Sequence, residues 1–127
     1  MGKGYLMDTN AVIGFLGGNI PGNAKTKLSA VVPAISVITS IELFSSNNTP
    51  RKEIAQLNAF VKAAVIYNFI DQAIVAQAIH IRKAYKTKTP DAIIAATAMV
   101  NGLTLITRNV KDFRLIENLE VINPWEM

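Results

Sequence analysis

The chain has 127 residues, of which half are hydrophobic and 17% are charged. A length below roughly 150 residues favours a single domain over residues 1–127, and this balance supplies a sizeable core. Cysteine is absent, which excludes disulfide frames, thiolate zinc sites and cysteine nucleophiles and fits a cytoplasmic, reducing location. The net charge of +4 is compatible with a polyanionic partner, and no apolar run is long enough to cross a membrane.

The first third of the chain is predicted to form one strand and two helices. Its opening, MGKGYLMDTN, lacks the apolar stretch of a signal peptide and leads into a short buried strand over Tyr5–Met7. Asp8, Thr9 and Asn10 are good cap residues for a helix that runs to Leu16 and ends at Gly17-Gly18. A second, short helix is predicted over Ile20–Val31.

The middle of the chain continues this alternation. Pro33–Val37 is predicted as a strand that leads into a helix starting near Thr39. Thr49 followed by Pro50 is a cap residue with proline at the first helical position, and the apolar residues after it keep helical spacing. A brief strand is predicted over Val65–Tyr67.

Three helices and two strands are predicted in the last part of the chain. An amphipathic helix is predicted over Asp71–Tyr85, and an apolar helix begins at Thr89-Pro90-Asp91 and closes at Gly102. They are followed by a strand over Leu103–Ile106, a third, short helix within TRNVKDF and a final strand at Val121-Ile122. Helices that alternate with short strands indicate an α/β fold. We expect a three-layer α/β/α sandwich with a short parallel sheet.

Four of the nine acidic residues lie near predicted strand ends or helix starts: Asp8, Glu42, Asp91 and Asp112. The carboxyl edge of a parallel sheet collects ligands, because successive strand-to-helix loops open on the same side. Carboxylate oxygens suit Mg²⁺ or Mn²⁺, and a bound ion lowers the pKa of a coordinated water and stabilises charge on a phosphate oxygen. The pattern therefore fits hydrolysis of phosphodiesters without a serine, cysteine or histidine nucleophile.

Each of these acids also has a structural explanation. Asp8 can cap the first helix, and Thr39-x-x-Glu42 matches a capping box. Asp91 in a first helical turn interacts favourably with the helix macrodipole. Asp112 can be a surface acid paired with a neighbouring cation. Spacing alone does not choose between the two interpretations.

Three separate stretches resemble the PIN-domain family. YLMDTNAVIGFL resembles its first strand with the Asp-Thr/Ser-Asn signature, ISVITSIELF resembles the strand and helix that carry its glutamate, and TPDAIIAATAMVNGLTLITRNVKDF is similar to its most recognisable stretch. Size and order agree over nearly the whole chain, and the resemblance is closest to VapC-type toxins. It implies the PIN-like α/β/α fold.

The resemblance also implies roles for particular residues. Asp8, Glu42 and Asp91 would be the acids that hold Mg²⁺ or Mn²⁺ and orient the attacking water, and Thr9 would orient one of these carboxylates. Where relatives often have a fourth acid this chain has Asn109, with Asp112 one helical turn later. Either Asn109 ligates through its neutral carbonyl oxygen or Asp112 takes the acidic role.

Two basic stretches flank these acids. Arg82, Lys83, Lys86 and Lys88 precede Asp91, and Arg108, Lys111 and Arg114 surround Asn109 and Asp112. Contacts to RNA phosphates are predicted for Lys86, Lys88, Arg108 and Lys111, the alternative being that these are solvated surface charges. The nine aromatic residues fall mostly at apolar positions and are predicted to lie in the core, with Tyr85 the one that has the basic neighbour of a stacking platform.

The expected function is that of a divalent-metal-dependent endoribonuclease of the toxin type. The resemblance implies a small antitoxin whose C-terminal segment fills the acidic groove, and a homodimeric toxin. One alternative is a PIN nuclease of RNA processing or turnover without an antitoxin. Another is a catalytically silent PIN-like module that binds RNA or protein. Asn109 would favour it, because this neutral residue stands where relatives often have an acid. A nucleotide-binding domain is disfavoured because the chain has no glycine-rich phosphate loop.

Overall fold

The computed structural model describes residues 4–127, in which five short strands form one parallel sheet. The strands are β1 (Tyr5–Met7), β2 (Ala34–Ser36), β3 (Val65–Tyr67), β4 (Thr104–Ile106) and β5 (Val121–Ile122), and their spatial order is β3-β2-β1-β4-β5. The helices are α1 (Thr9–Leu16), α2 (Gly22–Ser29), α3 (Val37–Leu43), α4 (Arg51–Ala63), α5 (Gln72–Tyr85), α6 (Thr89–Val100) and α7 (Val110–Phe113). A 3₁₀ turn over Pro124–Glu126 follows β5. Of the opening MGKGYLMDTN, residues 1–3 lie outside the described part.

The register of the sheet brings the ends of β1 and β4 together. Leu6 in the central strand pairs with Ala34 of β2 on one side and with Leu105 of β4 on the other. Beyond the strand, the Asp8 N–H donates to the carbonyl of Ile106 at 3.0 Å. Asp8 therefore begins α1 beside the point where β4 ends.

Alternate residues of the strands build two cores, one on each face of the sheet. On one face, Leu6 and Leu105 join the buried residues of α5, α6 and α7. On the other, Met7 and Ile106 join those of α1, α2 and α4. This confirms the expected α/β/α architecture, since a parallel sheet buried on both faces needs a helical layer over each.

Several helices begin at other residues than predicted. The third helix starts at Val37 and not near Thr39, because the Ser36 hydroxyl accepts the Thr39 N–H at 3.2 Å and so caps it. The second helix is shorter than the predicted Ile20–Val31. Pro21 has an extended backbone and is the cap residue, so the helix begins at Gly22. Pro50 and Lys88 occupy the cap positions predicted for Thr49 and Thr89. Within residues 4–127, no helix combines the length and apolar character of a membrane span.

Candidate active site

A polar cavity of about 280 Å³ opens at the carboxyl edge of the sheet and is called here the acid cavity. It lies where β1 runs into α1, beside α3, the first turn of α6 and the loop after β4. Its lining residues are Asp8, Thr9, Asn10, Glu42, Asp91, Ile94, Asn109 and Phe113. The fold therefore brings together five of the side chains that the sequence singles out, from positions up to a hundred residues apart.

Asp8 is the most constrained of these acids. Its side chain is 8% exposed, and one carboxylate oxygen accepts the N–H of Ala11 at 2.9 Å, which caps α1. The other oxygen accepts a hydrogen bond from the Thr107 hydroxyl at the end of β4. Burial raises the pKa of Asp8, the two hydrogen bonds oppose that rise, and the nearby carboxylates of Asp91 and Glu42 add to it. Asp8 thus serves as a helix cap and also presents a desolvated charge to the cavity.

Glu42 is linked to α1 rather than to its own helix. The Thr9 hydroxyl donates to its carboxylate at 2.5 Å, across 33 residues of sequence. The capping-box interpretation of Thr39 and Glu42 is wrong, because Thr39 is a buried residue inside α3 and its hydroxyl has no hydrogen-bond partner among residues 4–127. Thr9 holds one of the acids, in line with the orienting role that the resemblance implies for it.

Asp91 lies in the first turn of α6 and is half-buried. Burial is the main cause that raises its pKa, the negative charges of Asp112 and Glu42 raise it further, and Lys88 lowers it. Asp8 is therefore near enough to Asp91 and Glu42 for repulsion between their charges, and Asp91 is near enough to Glu42 and Asp112. A cation among them would relieve that repulsion, as would protonation.

The fourth acidic position is divided between two side chains. Asn109 lines the acid cavity, whereas Asp112 does not line it and instead accepts a hydrogen bond from the Asn109 amide at 2.6 Å. The Asn109 backbone N–H in turn donates to the Thr107 hydroxyl at 3.0 Å. The Thr107 hydroxyl is therefore hydrogen-bonded both to the Asp8 carboxylate and to the Asn109 backbone, and it links these two lining residues of the cavity.

The donor chemistry of the acid cavity fits a hard divalent cation. Its oxygen donors are carboxylates, hydroxyls and amide carbonyls, which Mg²⁺ and Mn²⁺ prefer. Across the described part of the chain, however, no three Asp, Glu or His side chains stand close enough to hold one ion between them. Glu42 and Asp112 instead engage Thr9 and Asn109. The set of donors therefore fits such an ion in kind.

The lysines predicted to contact RNA lie together beside the acids. Lys86, Lys88 and Lys111 line a cavity of about 500 Å³, the lysine cavity, which also contacts Asp91 and Asp112. Arg82 is not part of it, and its Nε donates to the Thr87 carbonyl at 3.1 Å and closes the loop after α5. Tyr85 lines the lysine cavity while its hydroxyl accepts the Glu117 N–H.

Arg108 lies elsewhere, next to an aromatic residue that was predicted to be core. Its guanidinium carbon is 4.8 Å from the ring centroid of Trp125, a residue of the 3₁₀ turn that is only half-buried. Both line a third cavity that includes Asn10. Sequence reasoning missed this pair because Arg108 and Trp125 are on different elements.

Sequence reasoning also missed Thr107 and Asn10. Thr107 is fully buried directly after β4, and Asn10 lines two adjoining cavities. A hydroxyl at the carboxyl end of a buried strand is the signal that could have found Thr107, because such a residue has few partners other than the neighbouring strand's end.

The family model described as PIN domain matches residues 5–119. Ribonuclease VapC1 of Rickettsia felis is 27% identical over 128 residues, which cover 94% of this chain and 95% of that protein. The family match spans every lining residue of the acid cavity, and the similarity to the relative extends over most of the chain.

Two solved structures give the same fold. A chain of a toxin–antitoxin complex from Klebsiella pneumoniae is 38% identical, with a TM-score of 0.77 and coverage of 97% of this chain and 99% of that one. A chain of VapBC-1 from nontypeable Haemophilus influenzae is 26% identical, with a TM-score of 0.77 and coverage of 97% and 98%.

Proposed function

This chain belongs to the PIN-domain family, and from that premise we propose that it is a divalent-metal-dependent endoribonuclease, the toxin of a toxin–antitoxin pair. The observation that carries the proposal is the convergence of Asp8, Glu42 and Asp91 on one polar cavity. The ribonuclease named among its relatives and the toxin–antitoxin complex at 38% identity support the same conclusion.

Asp8, Glu42 and Asp91 would hold Mg²⁺ or Mn²⁺, with Asn109 as the fourth oxygen donor. When bound, such an ion lowers the pKa of a coordinated water and stabilises negative charge on a phosphate oxygen. Thr107 and Ala11 keep both oxygens of Asp8 directed by hydrogen bonds. Asp112 acts through Asn109, whose amide it binds, and adds negative charge beside Asp91.

The RNA backbone would lie against the cations that surround these acids. Lys86, Lys88 and Lys111 face one cavity that also contacts Asp91, so a phosphate chain there stays within reach of the acids. Arg108 provides a further cation beside Asn109. Such contacts position the chain without reading its sequence.

The antitoxin proposal is supported by an apolar groove next to the acids. The groove has a volume of about 260 Å³ and lies between α1, α3 and α4, where Ile13, Leu16 and Leu57 are joined by Glu42 and Glu53. An apolar protein segment that carries a cation fits this lining, and its cation would compete with metal for Glu42. We extend the proposal to a cytoplasmic homodimer in which each chain acts as one domain.

Cleavage of a mixed pool of single-stranded and structured RNA tests the proposal. The purified protein is assayed with Mg²⁺, with Mn²⁺ and with chelator, alongside Asp91→Asn prepared identically. Asn keeps the shape of Asp91 and removes its charge, so the variant should fold and lose activity. We expect cleavage that requires the ion and is absent from the variant.

The control is Asp71→Asn, an exposed cap of α5 outside the acid cavity, whose amide oxygen can still accept the Ile74 N–H. Cleavage by Asp91→Asn equal to the wild type would contradict the assignment and point to a contaminating nuclease. No cleavage by any folded sample, together with no thermal stabilisation by Mn²⁺, would favour a silent RNA- or protein-binding module. Cleavage by a protein whose gene has no antitoxin reading frame beside it would favour RNA processing or turnover.

A further inference from the structure

Arg108 and Trp125 form a cation–π contact outside the acid cavity, and the proposed metal chemistry gives this pair no role. The guanidinium lies over the indole ring, 4.8 Å from its centroid, and the two residues line a cavity of about 610 Å³ with Asn10, Ile13, Gly14 and Asn19. We call this the Arg108–Trp125 cavity. Its polar side-chain groups are one guanidinium, two amides and an indole, and no acid is among the described residues that line it.

The ring of Trp125 packs directly against Gly14 of α1. A Cβ at Gly14 would lie 2.4 Å from Trp125 Cζ2, so only glycine lets the indole approach this helix. The 3₁₀ turn is held in addition by Asn123, whose Oδ1 accepts the Trp125 N–H at 2.9 Å. Trp125 is thus fixed by α1 and by its own turn, and it presents a face to Arg108.

Stacking on an aromatic face defines the orientation of a guanidinium. An arginine placed over a ring face keeps N–H donors that are directed away from the ring, and these can bind the oxygens of a phosphate. Holding the side chain in advance also reduces the entropy lost on binding. Lysine could not be held in this way, because an ammonium group has no planar face.

The Arg108–Trp125 cavity adjoins the acid cavity. Asn10 lines both, and Arg108 directly precedes Asn109 of the acid cavity. The lysine cavity adjoins the acids through Asp91. Trp125 packs on the core under α1 and Tyr85 on the core under α6, so the two cationic cavities lie toward opposite faces of the sheet, with the acids between them.

We propose that the Arg108–Trp125 cavity is a nucleotide subsite, in which Arg108 binds the phosphate next to the cleaved bond and Asn10 and Asn19 bind its nucleotide. The inference rests on the proposed function and deepens it, because it makes single-stranded RNA cross the acids from one cationic cavity to the other. Arg108 is then a substrate-positioning residue that acts on binding more than on the chemical step.

The chain has one tryptophan, which makes the subsite directly observable. A short single-stranded oligoribonucleotide of mixed sequence is titrated into the full chain in chelator, where no metal-dependent cleavage occurs. Trp125 emission reports the subsite, and the anisotropy of a dye-labelled copy of the same RNA reports total binding. We expect both signals to change with one dissociation constant.

Substitutions of two exposed arginines distinguish RNA binding at this subsite from non-specific attraction to positive charge. Arg108→Ala should weaken binding about tenfold and lower the slope of log affinity against log salt by about 0.7, as for one lost phosphate contact. Arg108→Lys should weaken it about fivefold, because it keeps the charge and loses the forked donors of the guanidinium. Arg114→Ala removes the same charge from an exposed site outside this cavity and should change affinity less than twofold.

The inference is overturned if labelled RNA binds without changing Trp125 emission, if Arg108→Ala and Arg114→Ala weaken binding equally, or if no RNA binds at all. Polyglutamate that changes the emission as RNA does would assign the cavity to an acidic protein segment instead. Failure of the proposed function is a separate result: RNA would still bind through Arg108 in chelator, and no cleavage would follow on adding Mg²⁺ or Mn²⁺.

Discussion

The two ends of the acid cavity are built differently. At the β1 end, Asp8 is buried, and its carboxylate accepts hydrogen bonds from a backbone N–H and from the hydroxyl of Thr107. At the α7 end, the lining residue Asn109 and its hydrogen-bond partner Asp112, which lies outside the cavity, are both exposed. The first end is held by the sheet itself, whereas the second depends on a four-residue helix after a loop.

This difference separates a pre-organised ligand from adjustable ones. Directing a buried carboxylate before an ion arrives costs stability through desolvation and like charge, but it removes the need to reorganise on binding. Exposed side chains such as Asp112 can change rotamer at little cost. We therefore expect substitutions at the β1 end to affect activity and stability strongly, and those at the α7 end to act weakly.

The largest contrast should come from matched Asp-to-Asn changes at the two ends. Asp8→Asn removes a charge that no neighbour can replace, and RNA cleavage should fall at least about 1,000-fold, close to 4 kcal/mol in activation free energy. Asp112→Asn should lower it less than about tenfold. Rates are measured under saturating Mg²⁺ on folded samples, and equal losses for the two variants would remove the distinction between the two ends.

Thr107 tests whether the sheet edge holds Asp8. Thr107→Val keeps the shape of the side chain but leaves the Asp8 carboxylate and the Asn109 N–H without their partner, at a cost of about 1–3 kcal/mol of unfolding free energy. For a domain of this size that lowers the Tm by about 4 °C per kcal/mol. Thr107→Ser retains the hydroxyl and should lose much less. A Thr107→Val protein with wild-type Tm and wild-type cleavage would show that the hydroxyl holds nothing.

Asn109→Asp supplies the acid that the family pattern has at this place. The new carboxylate would face Asp112 and lose the amide hydrogen bond, so the Tm in chelator should fall by a few degrees. Affinity for Mn²⁺ should rise about tenfold, which adds about 1.4 kcal/mol of stabilisation at a fixed excess of ion. Asn58→Asp makes the same charge change on the exposed surface of α4 and should alter neither quantity. A weaker response to Mn²⁺ than in the wild type would exclude Asn109 as a donor.

Much of this site follows from local sequence. The runs Tyr5–Met7, Val65–Tyr67 and Val121-Ile122 form strands at the predicted bounds, because each is a short apolar run bounded by turn or cap residues. The first run is central and largely buried, whereas the other two form the edges of the sheet and are half-buried or exposed. Parallel strands then carry the acids that follow them to a single edge. Asp8 directly after β1 and Glu42 in the helix after β2 are therefore found at one cavity, as the rule for open α/β sheets predicts. Asp91 follows helix α5 and not a strand, so its place at the same cavity depends on the position of α6.

What sequence did not predict depends on strand order and on contacts between distant segments. The Thr107 hydroxyl reaches Asp8 because β4 lies beside β1, although 99 residues separate the two. Trp125 was predicted to be core, and its half-exposed place over Gly14 depends on where the last turn lands. Helix α3 starts at Val37 rather than near Thr39, because Ser36 and Thr39 are both residue types that cap helices and it is the Ser36 hydroxyl that accepts the backbone N–H.

The smallest expected effect is the pH dependence of the metal-free protein. The pKa values of Asp8 and Asp91 are raised above their ordinary value of 3.8, chiefly by burial, so the folded state binds protons more tightly than the unfolded chain. The free energy of unfolding must then fall as pH rises from about 4 through the raised pKa values. Other groups also titrate in this range, so the informative quantity is the difference in Tm between wild type and Asp91→Asn in chelator.

That difference has a defined sign and should be reversed by metal. In chelator, Asp91→Asn should be more stable than the wild type at pH 7.5, with a higher Tm, and the gain should shrink toward zero near pH 4. Excess Mn²⁺ at pH 7.5 should raise the wild-type Tm and leave the variant nearly unchanged, because the ion offsets the repulsion that the variant has already lost. A variant less stable than the wild type in chelator at neutral pH would mean that the Asp91 carboxylate stabilises the fold, and the cost of pre-organisation would then lie in Asp8 alone.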